Sequence, residues 1–87
     1  MNLEDVFCSK TRMKILKLLF RFGQLNTSET AKRIGANYEK ALRNLQLLEK
    51  DGLVQHLLSG RIRFFCFTAS PKARATMELI EAWESDS

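Results

Sequence analysis

Absences set the first limits on this chain. Its 87 residues include one proline, two cysteines and one histidine. With so little proline and no repeat or low-complexity tract, it reads as a folded chain rather than a linker. Cys8 and Cys66 stand 58 positions apart, no C-x-x-C pair occurs, and His56 is the sole imidazole. A structural zinc site needs four such donors at short spacings, so no metal is expected. Cys66 is expected to be a small buried apolar side chain. No apolar run approaches the ~18 residues of a membrane span. The opening MNLEDVFCSK carries acids where a secretion signal has an apolar core. The chain therefore reads as cytoplasmic, with no membrane partner. There is no glycine-rich phosphate loop, no paired-carboxylate constellation and no nucleophile beside a base. An enzyme is not expected, and no residue set calls for a cofactor.

Acidic residues are also scarce in the middle. All 14 lysines and arginines fall between Lys10 and Arg74, but only Glu29, Glu39, Glu49 and Asp51 lie within residues 6–75. Fourteen cations and four acids leave that stretch at +10, against +4 for the whole chain. A basic body with acidic ends suits a polyanionic partner, although a well-solvated helical protein can carry the same charges.

What is present is ordinary in amount. Hydrophobic residues make up 45% and charged residues 28%, as in a globular protein. One domain over residues 1–87 is expected. A chain this short hides roughly 60–65% of its unfolded surface, so its core is modest.

Four segments carry structural signals. In SKTRMKILKLLFRFG, Ser9 is a good helix N-cap and Gly23 a stop. Ile15, Leu18, Leu19 and Phe22 have the spacing of one helical face. Leu16 and Phe20 lie outside it and point to a second apolar face. Lys10, Arg12, Lys14, Lys17 and Arg21 occupy the rest, most simply as a solvated surface. The preceding NLEDVF is a short lead-in helix or an arm. In LNTSETAKRIGAN, Asn26 or Thr27 caps a short helix with a small apolar face, Ala31 and Ile34. Gly35 ends it, and Asn37 caps YEKALRNLQLLEKDG, where Ala41, Leu45 and Leu48 recur. Two short helices joined by a glycine-containing turn make a helix-turn-helix, whose second helix is shaped to enter a major groove.

After Gly52 the period shortens. LVQHLL and RIRFFCF flank Ser59, Gly60 and Arg61, which reads as a hairpin over 53–67. Alternation puts Ile62, Phe64 and Cys66 on one face and Arg63, Phe65 and Phe67 on the other. Its base is expected to be buried on both sides, with the arginines at the tip. A strand that stacks on RNA needs a multi-stranded sheet to display its aromatics, and one hairpin does not supply it. Ser70 and Pro71 then open a last helix over 70–85, with Ala73, Met77, Ile80 and Trp83 as its stripe and Leu79 beside it. A Trp and a Leu this near the end need something to cover them.

The predicted fold is mainly α with a β-hairpin, in the order α-α-α-β-β-α. From Ser9 to Trp83 the chain resembles compact winged helix-turn-helix regulators of the ArsR group, above all their small archaeal forms. The residues that carry the resemblance are SKTRMKIL, LNTSETAKRIGANYEKALRNLQLLEKDGLV, and SGRIRFF with Phe67 and Thr68. The ending LQLLEKDGLV is the strongest element.

The resemblance implies a transcriptional regulator that binds double-stranded DNA as a homodimer. The core is then 9–69, helix 37–51 reads DNA, wing 53–67 follows the adjacent backbone, and helix 70–85 helps to form the dimer. Carried over to this chain, Asn37, Tyr38, Glu39, Lys40, Leu42 and Arg43 form the exposed front of the reading helix. Asn44 and Gln46 lie at its margin. Arg43 can pair bidentately with guanine, and Asn44 or Gln46 with adenine. Thr27 and Ser28 open the supporting helix, whose amides can hold a phosphate. Lys32 and Arg33 are backbone candidates, and Arg61 and Arg63 belong to the wing. Leu16, Phe20, Met77, Ile80 and Trp83 are the candidate dimer residues.

Plain alternatives stand beside these roles. Asn37 can be only a cap, Tyr38 can pack over the helix junction, and Glu39 can serve the positive start of its helix. Leu42 departs from the group, which places a small polar residue there. An exposed leucine can touch a thymine methyl or meet a protein. The group's metal-sensing thiolates, which lie in the reading helix, are absent. A Cys8 bridge between two copies stays open. Two further functions fit the residues: an architectural protein with little sequence preference, and a winged-helix module that binds proteins.

Overall fold

The computed structural model describes residues 1–86, and their order extends the expected one by two short elements. Helix α1 (Leu3–Phe7) leads into α2 (Lys10–Phe22), strand β1 (Gln24–Asn26), α3 (Thr27–Ile34), α4 (Tyr38–Lys50), β2 (Val54–Ser59), β3 (Ile62–Phe67) and α5 (Pro71–Ser85). The lead-in segment is helical, and the hairpin gains a third strand. The sheet order is β1-β3-β2, antiparallel throughout.

Side-chain caps set the helix starts. Ser9 Oγ accepts the Arg12 amide at 3.2 Å, Asn26 Oδ1 accepts Glu29 at 2.7 Å, and Asn37 Oδ1 accepts Lys40 at 2.8 Å. Each satisfies a donor that the helix itself leaves free. Between α3 and α4 the chain turns at Gly35, whose φ of 71° lies in the left-handed region that glycine enters without strain. Ser70 caps α5 through the Ala73 amide at 3.2 Å, with Pro71 in the first turn.

The core gathers Ile15, Leu16 and Leu19 of α2, Leu45 and Leu48 of α4, and Phe65 of β3, among others. Two expectations fail here. Leu16 was assigned to a dimer face, but it has 0% exposure within a single chain. The buried arc of α2 is wide, because α2 packs against α1, α3, α4, α5, β1 and β3. Ile80 was assigned likewise and is also buried in this core. Phe22, expected on the buried stripe, is exposed, and the Arg33 guanidinium lies over its ring at 4.3 Å.

The wing is anchored by one residue more than by a cluster. Phe65 is fully buried, Phe64, Cys66 and Phe67 are half-buried, and Ile62 and Arg63 are exposed. Cys66 is therefore not the buried side chain expected. The sheet is three-stranded, not the lone hairpin expected, and on its third strand the buried Leu25 pairs with the buried Phe65. The turn at Gly60–Arg61 joins Ser59 to Ile62. Gly60 has φ 64° and no non-glycine residue among the described residues has positive φ, the signs of a type II′ hairpin turn. Glu49 of α4 ties the wing to the body: its Oε2 accepts from the His56 amide at 3.2 Å and lies 2.5 Å from His56 Nδ1. The start of α5 is fixed to the α4–β2 turn, where Thr68 Oγ1 and Ser70 Oγ both donate to the Gly52 carbonyl, at 2.7 and 3.1 Å.

Candidate nucleic-acid interface

Helix α4 presents its first half to solvent between two hollows. On the wing side, Ser28, Tyr38, Leu42, Arg61 and Arg63 line one concavity. Its lining includes no acid, and Leu58 and Ile62 add apolar surface at the wing tip. On the α2 side, Asn37, Glu39, Lys40, Arg43 and Asn44 line the second, together with Ser9, Thr11 and Arg12. Gln46 is exposed and lines neither of these two hollows. The fold thus places candidates drawn from three separate segments, near residues 28, 40 and 62, around a single helix.

Three candidates are placed differently from expectation. Asn44 is 8% exposed, and its Nδ2 donates to the Lys40 carbonyl at 2.9 Å. It sits three residues after Ala41 and four before Leu48, so it belongs to the buried face and not to a reading edge. Its spacing already carried that signal. Thr27 is 5% exposed at the β1–α3 junction, which leaves Ser28 as the accessible hydroxyl there. Leu42 is half-buried and packs against the core, so it is not the exposed leucine that suggested a protein-facing surface.

The remaining candidates are exposed. Asn37 is the cap of α4, as its plainer reading held. Tyr38 is exposed. Arg33 is engaged by Glu29, with Nε 3.1 Å from Oε1, as well as by Phe22. Lys32 is exposed in the last turn of α3.

Arg12, expected on a solvated face, is half-buried and lines the hollow beside α4. Its Nη1 donates to the Asp5 carbonyl at 2.7 Å. No spacing rule reveals this, because Arg12 and Lys40, which line the same hollow, stand almost thirty positions apart.

On the far side, Trp83 is 77% and Leu79 43% exposed. With Met13 and the edge of Ile80 they line an apolar groove between α2 and α5. Met77 and Phe20 are half-buried. Both cysteines are free, Cys8 exposed and Cys66 half-buried. Among the described residues, no three His, Cys, Asp or Glu side chains gather as a metal cage, and no helix is long and apolar enough to cross a membrane.

No protein-family model and no curated protein matches the sequence. Solved structures do match the fold. HlyU from Vibrio cholerae N16961 superposes with a TM-score of 0.78 at 23% identity, covering 93% of this chain and 86% of that one. The antimony-specific transcriptional repressor AntR gives 0.75 at 21%, covering 94% and 73%. The homodimeric winged helix-turn-helix DNA-binding domain of Mb0332 from Mycobacterium bovis, a possible ArsR-family regulator, gives 0.76 at 24%, covering 94% and 74%. At these identities the likeness establishes architecture, and the architecture of this chain is the winged helix-turn-helix.

Proposed function

We propose that this chain is an ArsR-like transcriptional regulator that binds duplex DNA as a homodimer, without catalysis, in the cytoplasm and on the nucleoid. The observation that carries the proposal is the exposed start of α4, flanked by Arg61 and Arg63 on one side and by Lys40 and Arg43 on the other. In this reading α4 enters the major groove. Arg43 pairs with a guanine edge, Lys40 serves base or phosphate, and the wing arginines hold backbone. Ser28 and Tyr38 contribute at the wing side. The dimer forms through Met77, Leu79 and Trp83 of α5, supported by the homodimeric state of Mb0332. Repression is favoured over activation by the likeness to AntR, a repressor.

Selection of bound sequences from random duplexes tests this. Enrichment of an inverted repeat with half-sites about 34–36 Å apart, or a multiple of that, is expected. Binding without enrichment replaces the regulator with an architectural protein. Failure to bind any duplex at low salt overturns DNA binding itself. Affinity is expected to fall steeply with salt as phosphate counterions are released.

A further inference from the structure

Arg12 Nε is buried and has no hydrogen-bond partner among the described residues. Buried N–H groups rarely go without an acceptor. The rest of the residue is held in place: its amide donates to Ser9 Oγ and its Nη1 to the Asp5 carbonyl. The side chain lines the hollow that Lys40 and Arg43 of α4 also line. Three cations from two helices therefore surround one concavity, against a single carboxylate, Glu39. With Nε closed to solvent and Nη1 given to Asp5, a phosphodiester in the hollow meets the outer end of this guanidinium, through a charge-assisted contact rather than a paired fork.

The geometry points to a phosphate seat in the hollow between α2 and α4, with Arg12 as its principal ligand and Thr11 and Lys40 beside it. This rests on the DNA-binding reading and extends it. A helix in a major groove, about 12 Å wide, has one backbone on each side. Helix α4 has a cation-lined hollow on each side. The wing arginines hold one strand, and the start of α2 holds the other. Arg12 then fixes how far α4 rolls in the groove, which is a positioning role without base preference.

Two variants test this on the full chain with a duplex selected by the wild type. Arg12→Gln keeps much of the side-chain stem and is expected to weaken binding roughly tenfold per half-site. The plot of log affinity against log salt should become shallower by about one per half-site, with the preferred sequence unchanged. Thr11→Glu separates binding from folding. A carboxylate in the first turn of α2 complements the helix dipole, so its melting temperature should hold or rise while DNA binding falls. If both variants bind with wild-type affinity and salt slope, the phosphate seat is wrong. Loss confined to one base pair, with the slope unchanged, also overturns it, since that marks base reading. If the wild type binds no duplex, the DNA-binding reading has failed first.

Discussion

Helices α4 and α5 are similar in length, 13 and 15 residues, and each is started by a side-chain cap. They end up with opposite surfaces. Helix α4 is wedged against α2, α3 and β2, and its inward face, Ala41, Asn44, Leu45 and Leu48, is fully covered. Its outward positions include Lys40, Arg43 and Lys50. Helix α5 packs chiefly on α2, and it buries only Ala73, Thr76 and Ile80. Leu79 and Trp83 remain outside, among Glu78, Glu81 and Glu84. Both helices are amphipathic, but α5 leaves the larger apolar surface outside: Trp83 is 77% exposed, whereas the last apolar residue left outside on α4, Leu47, is 37% exposed. The covered helix is left with an exposed basic surface, which in the proposed reading meets a polyanion. The half-covered one is left with a surface that water disfavours, which a second copy can complete.

The sharpest way to break this contrast is to delete one leucine from each helix. Leu45 is fully buried, so Leu45→Ala should cost about 2–5 kcal/mol, a large part of the stability of a domain this small. Leu79→Ala should change the unfolding free energy of dilute protein by no more than about 0.5 kcal/mol. Urea unfolding below the dimer dissociation constant reads both. Equal losses would mean that α5 is built into the monomer as firmly as α4.

The next effect belongs to Trp83. An exposed tryptophan in an apolar groove behaves as an interface anchor, and its truncation typically costs about 2 kcal/mol or more of association. Trp83→Ala should therefore weaken self-association roughly 30-fold while leaving the unfolding of dilute monomer unchanged. Sedimentation equilibrium over a concentration series checks it. A monomeric wild type would remove the premise, and a dimeric variant of unchanged affinity would move the interface elsewhere.

The contrast also explains which parts of the molecule were legible in the sequence. Every helix of the expected order is announced by a local signal: Ser9, Asn26, Asn37 and Ser70 act as caps within three residues of the amides they accept. The helix-turn-helix follows from Gly35 and Asn37 in the same way. Strand β1 was not legible, because Gln24–Asn26 has no alternation of its own and exists through pairing with Phe64–Cys66, forty residues on. Leu16 and Ile80, expected at a dimer face, lie in the core for a related reason. Periodicity says which residues share a face, but the number of neighbours decides how wide the buried arc is. The candidate site divides along the same line. Lys40, Arg43, Arg61 and Arg63 were named from their elements, whereas Arg12 enters through the packing of α2 beside α4. Thr27 and Asn44 show the converse, polar residues that the packing draws inside.

The smallest effect separates two roles of one residue at the start of α4. Asn37 Oδ1 is occupied by the Lys40 amide at 2.8 Å, which accounts for the side chain as a cap. Loss of a cap costs about 1 kcal/mol, and serine caps nearly as well as asparagine. Asn37→Ala should therefore lower stability by about 1 kcal/mol, and Asn37→Ser should restore most of it. Ser70→Ala is the control on α5 and should cost at least as much, since Ser70 Oγ also donates to the Gly52 carbonyl. The DNA measurement then decides what the stability measurement cannot. If Asn37 only caps, Asn37→Ser binds the selected duplex like the wild type, and so does Ser70→Ala once it is folded. If Asn37→Ser is stable but loses discrimination at one base pair, the asparagine leaves its cap to read a base edge in the complex. The polyanion face of α4 would then begin one residue before the helix itself.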